Sequence, residues 1–216
     1  MKRLIVYDLD GTLVDTREDI TRAANHMLTA MGGPALSREE VCRFVGKGLH
    51  QLVTGCLKTE DPATIETGRK IYRAYYTQHL LDYSRLYPGA SEVLDYFRDR
   101  KQAVLTNKPN PYSRDILVGL GVSHFFVEII GGETEFPRKP DPATLFFLMK
   151  KNGANSHETL FIGDSSVDVE TGRNAGVLTV AMTHGFSDIE EITAARPDFI
   201  IDCFDEVRAL AKSEKW

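Results

Sequence analysis

The stretch LIVYDLDGT, residues 4–12, decides the fold. Its four consecutive apolar residues, ended by Asp8 and Gly11, predict a buried strand of a parallel sheet. Parallel sheets bind ligands beyond the carboxyl ends of their strands, so we expect Asp8 and Asp10 at the mouth of a site. Two carboxylates this close repel each other and resist the loss of water. A divalent cation is the simplest compensation.

The composition of the 216-residue chain is that of a globular protein. Hydrophobic residues make up 42% and charged residues 26%, which is unlike a disordered chain. A formal net charge of −5 argues against nucleic acid as a partner. The three cysteines form no CxxC pair, which favours reduced thiols over a disulfide scaffold or a zinc site. No apolar stretch has the length of a signal peptide or a membrane span, so we expect a cytoplasmic protein with no membrane partner.

A helical pattern follows the first strand and continues to about Tyr83. Helices are predicted from about Glu18 to Met31, after a Ser37/Glu40 capping box, over Leu49–Leu57, and from Asp61-Pro62 onward. No strand pattern interrupts this segment. Hinges near Leu13–Asp15 and Arg85–Pro88 would let it open and close over Asp8.

Helices and short apolar strands alternate from Tyr87 onward, which is typical of a parallel α/β sheet. Strands are expected around Ala103–Thr106, Val127–Ile130, Thr159–Gly163, Val177–Ala181 and Phe199–Ile201. The sequence therefore predicts an α/β fold, a Rossmann-like doubly wound parallel sheet with an inserted all-helical cap domain. The predicted boundaries are 1–15 and 86–216 for the core, and 16–85 for the cap.

Polar residues follow four of these strands, where a ligand would bind. They are Asp8 and Asp10, Thr106-Asn107-Lys108-Pro109, Lys139-Pro140-Asp141-Pro142, and the GDSSVD stretch from Gly163 to Asp168. Each motif alone is more often a turn or a helix cap. All four in order, each just beyond a strand, favour one catalytic site.

The two leading aspartates suit phosphoryl transfer. A carboxylate can accept a phosphoryl group and so divide a slow hydrolysis into two steps, which makes Asp8 the expected nucleophile. Asp10 is then expected to protonate the departing alkoxide and to deprotonate the attacking water. Hard oxygen ligands in small number favour Mg²⁺, with Asp8 and Asp164 as carboxylate ligands. Asp168, one helical turn beyond Asp164, is expected to support the waters on the metal.

A phosphate also needs hydrogen-bond donors and positive charge. The Thr106 hydroxyl, the Asn107 backbone and the amides of the Gly11-Thr12 turn are the expected donors. Lys139 is expected to neutralise Asp8 and the phosphate together, and Lys108 is a weaker candidate for the same pocket.

The chain resembles the haloacid dehalogenase-like hydrolases over nearly its whole length. The DLDGTLVDT start, Thr106, Lys139 before Pro140, and the GDSSVD stretch match that family's four motifs. The resemblance implies an aspartyl-phosphate mechanism, with Mg²⁺ held by an Asp8 side-chain oxygen, the Asp10 carbonyl and the Asp164 carboxylate. It also implies that the helical insertion is the family's cap. The name-giving dehalogenases lack the second aspartate, so Asp10 points to phosphate-ester chemistry.

Within that family, three stretches are similar to phosphoglycolate phosphatases. They are Leu105–Pro109, Phe44–Gly48 and Ala195–Phe199. Gly46 and Gly48 would let the backbone approach a ligand closely, and Lys47 would pair with a substrate carboxylate. The alternative is that Gly46-Lys47-Gly48 is a plain turn between helices with a solvated lysine.

Several functions stay open at this point. The first is a Mg²⁺-dependent phosphatase acting on a small phosphorylated metabolite, with phosphoglycolate the leading candidate. A phosphosugar mutase of the β-phosphoglucomutase type, a pyrophosphatase or a nucleotidase would share the core, although the family's mutases usually have Ser-Arg where this chain has Leu49-His50. A metal-binding or phospho-receiver module is the non-enzymatic alternative. The chain is expected to be a monomer or a homodimer.

Overall fold

The computed structural model describes residues 1–214 and 216, and strands alternate with helices along most of it. In chain order the strands are β1 (Leu4–Tyr7), β2 (Val14–Asp15), β3 (Arg85–Leu86), β4 (Lys101–Pro109), β5 (Glu128–Gly132), β6 (Thr159–Gly163), β7 (Leu178–Met182) and β8 (Phe199–Ile201). The helices are α1 (Arg17–Ala30), α2 (Arg38–Cys42), α3 (Leu49–Leu57), α4 (Pro62–His79), α5 (Ala90–Tyr96), α6 (Tyr112–Gly119), α7 (Ala143–Asn152), α8 (Ser166–Ala175), α9 (Ile189–Ala195) and α10 (Phe204–Ser213).

Six strands form one parallel sheet in the order β5-β4-β1-β6-β7-β8. The chain builds outward from β1 through β4 to β5, and then returns to the other side of β1 for β6, β7 and β8. The strand order therefore reverses at β1, and a sheet of this kind binds ligands at such a reversal. The predicted doubly wound parallel sheet is confirmed.

Strand β1 lies at the centre of the core. All four of its residues are fully buried, because both faces of the strand are covered, as its continuous apolar run predicts. The backbone N–H of Asp8 donates to the Ile162 carbonyl at 2.9 Å. This bond continues the pairing with β6 one residue beyond the strand, so Asp8 is held at the carboxyl edge of the sheet.

Helices α1 to α4 form the helical segment (residues 16–85) that separates β1 from the rest of the sheet. Helix α3 spans the predicted residues, and α2 begins with the predicted capping box between Ser37 and Glu40. Asp61 caps α4 by accepting a hydrogen bond from the Thr64 N–H. The boundaries of a separate cap domain stay a prediction.

Two short strands, which the sequence pattern did not indicate, join the helical segment to the sheet. Strands β2 and β3 pair in antiparallel register, with Val14 opposite Leu86 and Asp15 opposite Arg85. These are the stretches in which hinges were expected. A two-residue strand shows no alternation of apolar and polar residues, so no sequence pattern could reveal it.

No helix among residues 1–214 and 216 is both long and apolar enough to cross a membrane.

Candidate active site

Three buried carboxylates meet beyond the ends of β1 and β6. One oxygen from each of Asp8, Asp164 and Asp168 lies within 4.8 Å of the other two. Lys139 enters the same cluster, with its Nζ 2.9 Å from Asp8 Oδ1 and 2.6 Å from Asp168 Oδ1. The parallel sheet brings these residues together because its strand ends share one edge.

The nucleophile candidate, Asp8, is buried and incompletely partnered. Its Oδ1 lies at ion-pair distance from Lys139 but has no hydrogen-bond partner of good geometry among the described residues. Burial raises the pKa of Asp8 to about 6; Lys139 opposes the shift, and Asp168 adds to it. An acceptor oxygen without a partner in a dry site is a group that a further ligand can satisfy.

The Asp164 carboxylate occupies a space that two glycines leave free. A Cβ atom on Gly11 or on Gly185 would overlap it. Its Oδ1 accepts from the Thr12 hydroxyl at 2.9 Å, and its Oδ2 accepts from the Phe186 N–H at 2.8 Å. Burial and the charges of Asp168 and Asp8 raise the pKa of Asp164 well above its ordinary value.

Asp168 holds other parts of the site in place. Its Oδ1 accepts from Lys139 Nζ, and its Oδ2 accepts from the backbone N–H of Asp164 and from the N–H and hydroxyl of Ser165. Both oxygens are therefore engaged by protein donors, as suits a residue that orients a metal site from outside its ligand set. Its role at a metal stays a prediction.

The charges of the cluster fit a divalent cation. Three buried carboxylates face one ammonium group, so two negative charges are uncompensated when all three carboxylates are ionised. Uncompensated charge at such burial is costly. The donors are oxygens, which hard cations such as Mg²⁺ prefer. Asp8 and Asp164 have the arrangement that could hold Mg²⁺, with Asp168 behind them.

Asp10 is paired separately from this cluster. Lys108 Nζ lies 2.9 Å from its Oδ1 and 3.1 Å from its Oδ2, and the Thr16 hydroxyl donates to Oδ1 at 2.7 Å. Lys108 also lies over the ring of Tyr76, 4.7 Å from its centroid. The structure therefore places Lys108 at the site as an ion-pair partner of Asp10.

A small cavity opens beside Asp8 and Asp10, between the sheet and the helical segment. Its volume is about 40 Å³. The helical segment supplies mostly apolar walls, from Ile20, Val45, Leu49, Leu52, Tyr72 and Tyr76, with Gly46 and Gly48. Thr106, Asn107 and Lys108 line the side formed by β4.

One expectation for phosphate contacts needs correction. The Gly11 N–H donates to the Val14 carbonyl and the Thr12 N–H to the Leu9 carbonyl, so both amides are used within the turn. The Thr12 hydroxyl donates to Asp164. The contact expected between the Asn107 backbone and phosphate stays a prediction, while the Asn107 side chain binds neighbouring loops.

Lys47 lies outside the cavity that holds Asp8 and Asp10. It is exposed and lines a neighbouring cleft with Ser165 and Glu191, whereas Gly46 borders both spaces. This position corresponds to the solvated-turn alternative for Lys47. The predicted role of Gly46 as a close approach of backbone to a ligand stays a prediction.

Sequence reasoning missed two contributors to the site. Thr16 donates to Asp10, and Phe186 donates its backbone N–H to Asp164, whose carboxylate lies in the space beside Gly185. Residues 185 and 186 follow β7, a fifth strand end at the same edge of the sheet. Inspection of every predicted strand end, including those without acidic residues, would have found them.

Comparison with known proteins gives consistent matches. The family model for haloacid dehalogenase-like hydrolases matches residues 5–182. A phosphoglycolate phosphatase of Vibrio parahaemolyticus is 34% identical over 214 residues, covering 95% of this chain and 94% of that protein. One of Pseudomonas syringae pv. syringae is 37% identical over 211 residues, covering 94% of this chain and 77% of that protein.

A solved structure agrees with the fold along almost its whole length. The crystal structure of a predicted phosphoglycolate phosphatase from Haemophilus somnus 129pt superimposes with a TM-score of 0.92 at 31% identity. The match covers 97% of this chain and 98% of that one. The sequence comparison and the structural comparison therefore both find proteins that are named as phosphoglycolate phosphatases.

Proposed function

The chain belongs to the haloacid dehalogenase-like hydrolase family and is a phosphoric monoester hydrolase, and we propose that it is Mg²⁺-dependent and forms an aspartyl phosphate on Asp8. The observation that carries this proposal is the cluster of Asp8, Asp164 and Asp168 around Lys139, with two uncompensated negative charges beside a cavity. A divalent cation would balance these two charges.

In the proposed reaction, an Asp8 carboxylate oxygen attacks the phosphorus atom and the bond to the alcohol oxygen breaks. Asp10, which must be protonated when substrate is bound, gives its proton to the departing alkoxide and becomes a carboxylate. A water molecule then attacks the phosphorus of the acyl phosphate, Asp10 takes the proton of that water, and Asp8 leaves as a carboxylate with release of inorganic phosphate. Thr16 and Lys108 orient Asp10 in this scheme.

The remaining residues stabilise charge. Lys139 lies against Asp8 and supplies positive charge where the phosphoryl group would be transferred. The Thr106 hydroxyl, on the cavity wall, is a donor for a phosphoryl oxygen. Mg²⁺, when bound, polarises the phosphoryl oxygens and helps to neutralise their charge.

The size and lining of the cavity support a short substrate, and phosphoglycolate is the substrate that we propose. A volume of about 40 Å³ has room for about three water molecules, which suits a two-carbon alcohol better than a hexose. Lys108, the ion-pair partner of Asp10, also lines the cavity wall, and we propose that it contacts the substrate carboxylate there. The names of the relatives agree with this substrate.

Phosphate release should be measured across phosphoglycolate, pyrophosphate, nucleoside monophosphates and hexose phosphates, with and without Mg²⁺. We expect Mg²⁺-dependent turnover that favours phosphoglycolate. Mass spectrometry of acid-quenched protein should find one phosphoryl group on the peptide that contains Asp8. Equal turnover without divalent cations, or phosphorylation elsewhere, would contradict the mechanism, and preference for another ester would contradict the substrate.

A further inference from the structure

The side chain of Asn107 binds two loops that are far apart along the chain. It is buried at the end of β4. Its Nδ2 donates to the Gly46 carbonyl at 2.9 Å and to the Lys139 carbonyl at 3.1 Å, and its Oδ1 accepts from the Lys139 N–H at 3.0 Å. One amide group thus binds the helical segment and the Lys139 loop together.

The contacts with Lys139 fix the backbone at that residue on both sides. Both main-chain polar groups of Lys139, its N–H and its carbonyl, are bound by the same amide. The Lys139 ammonium lies between Asp8 and Asp168. Any shift of the backbone at 139 would therefore move the ammonium relative to the nucleophile.

We propose that Asn107 is a positioning residue that holds Lys139 in place against Asp8 and, through Gly46, also anchors the helical segment. This inference rests on the proposed function, because its consequence is a change in phosphoryl transfer. When Gly46 moves away, one Nδ2 hydrogen loses its partner in a buried site, where an unsatisfied donor is unfavourable.

A second contact between the helical segment and the loops beyond the sheet provides a control. Glu133, just beyond β5, accepts from Arg69 of α4 at 3.0 Å and also pairs with Arg73. Among the residues that the structure describes, the Glu133 side chain forms no hydrogen bond or ion pair with Lys139. Glu133→Gln should therefore loosen the helical segment while leaving the Lys139 loop held.

A third variant tests the loop without the helical segment. Asn174 donates to the Pro140 carbonyl at 3.1 Å from an exposed position. Asn174→Ala removes a hydrogen bond to the residue after Lys139 and touches no part of the helical segment. Like Asn107→Ala, this substitution removes a side-chain amide group, so the two variants are matched.

The kinetic experiment compares the three variants with phosphoglycolate and saturating Mg²⁺. For Asn107→Ala we expect kcat to fall about 10²-fold, the loss typical of a misplaced catalytic group. Glu133→Gln should raise KM and leave kcat close to that of the wild type, and Asn174→Ala should change neither. An unchanged kcat in Asn107→Ala, or an equal fall of kcat in Glu133→Gln, would overturn the proposal.

Amide hydrogen exchange tests both contacts of Asn107 without substrate. Asn107→Ala should speed exchange in both the 43–49 and the 137–141 segments, whereas Glu133→Gln should speed it in the helical segment and not in 137–141. Asn107→Asp, which keeps the acceptor for the Lys139 N–H, should loosen 43–49 and leave Lys139 protected. Unchanged exchange at Lys139 in Asn107→Ala would overturn this proposal, whether or not the wild type hydrolyses an ester. Failure of the wild type to hydrolyse any ester would count against the proposed function alone.

Discussion

The Asp164 carboxylate lies in the space that a side chain on Gly185 would fill. The backbone of Gly185 is outside the left-handed region, so alanine is conformationally allowed there. The obstacle to a methyl group at 185 is therefore Asp164 itself.

We expect Gly185→Ala to weaken Mg²⁺ binding by about 10–100-fold, because it displaces a carboxylate of the proposed metal site. Mg²⁺ titration by calorimetry and the Mg²⁺ dependence of phosphate release would both measure this change. Gly33→Ala is the control: its Cβ would meet its nearest neighbour, the Leu28 carbonyl oxygen, at an ordinary 3.4 Å, and its backbone is also outside the left-handed region. Equal Mg²⁺ affinity in the two variants would contradict the assignment of Asp164.

The fold and the meeting of the acidic residues could be predicted because each depends on a local pattern. The apolar run before Asp8 marks a central strand, and parallel strand ends share one edge, so Asp8, Asp164 and Lys139 are found together. The direction of the Asn107 side chain could not be predicted. It is set by Lys139, 32 residues away along the chain, and not by any local preference.

The turn after β1 shows a second limit of sequence reasoning. The pattern Gly11-Thr12 indicates a turn with backbone amides but does not say which carbonyls they bind. In the structure both amides donate to carbonyl groups of the turn itself, and the Thr12 hydroxyl donates to Asp164. The hydrogen bonds inside a tight turn depend on the conformation of the turn, and one sequence pattern is compatible with several turn types.

Asp8→Asn should abolish turnover while stabilising the metal-free protein. The amide is a poor nucleophile, and we expect kcat to fall by about 10⁴-fold or more. It also removes one of three buried negative charges, so the melting temperature without Mg²⁺ should rise by about 3 °C, or roughly 1 kcal/mol. Calorimetry in EDTA measures this. Asp168→Asn, which also removes a charge but weakens the hydrogen bonds that hold Lys139 and Ser165, should instead melt lower.

The stabilising effect of Mg²⁺ should grow with pH. Burial raises the pKa of Asp8 from 3.8 to about 6, so the folded state binds this proton more tightly than the unfolded chain does. The stability that the proton gives is complete below the unfolded pKa of 3.8 and is lost as pH rises through the folded pKa near 6. Mg²⁺ competes with the proton for the carboxylate, so it acts best above that range.

Thermal unfolding with and without Mg²⁺ checks this dependence. With Mg²⁺ at about 100 times its Kd, the melting temperature should rise by roughly 5–10 °C at about pH 7.5. At about pH 5 the rise should be much smaller, since protons then occupy Asp8. An Asp164→Asn variant should lose most of the rise at both values. Equal shifts at the two pH values in the wild type would contradict the placement of the cation at Asp8.

The stability of the junction between the helical segment and the sheet should depend on Asp19. This residue of α1 is fully buried, and its Oδ2 accepts from the N–H groups of Tyr83 and Ser84 and from the Ser84 hydroxyl, just before β3. Asp19→Ala leaves these buried donors unsatisfied and should reduce the free energy of unfolding by about 3 kcal/mol. Asp82→Ala is the control, because Asp82 has the same charge and lies next to Tyr83 but is exposed and paired with His79; it should change stability by less than about 0.5 kcal/mol. Urea unfolding of both variants measures the difference, and similar midpoints would show that the Asp19 hydrogen bonds do not stabilise the junction.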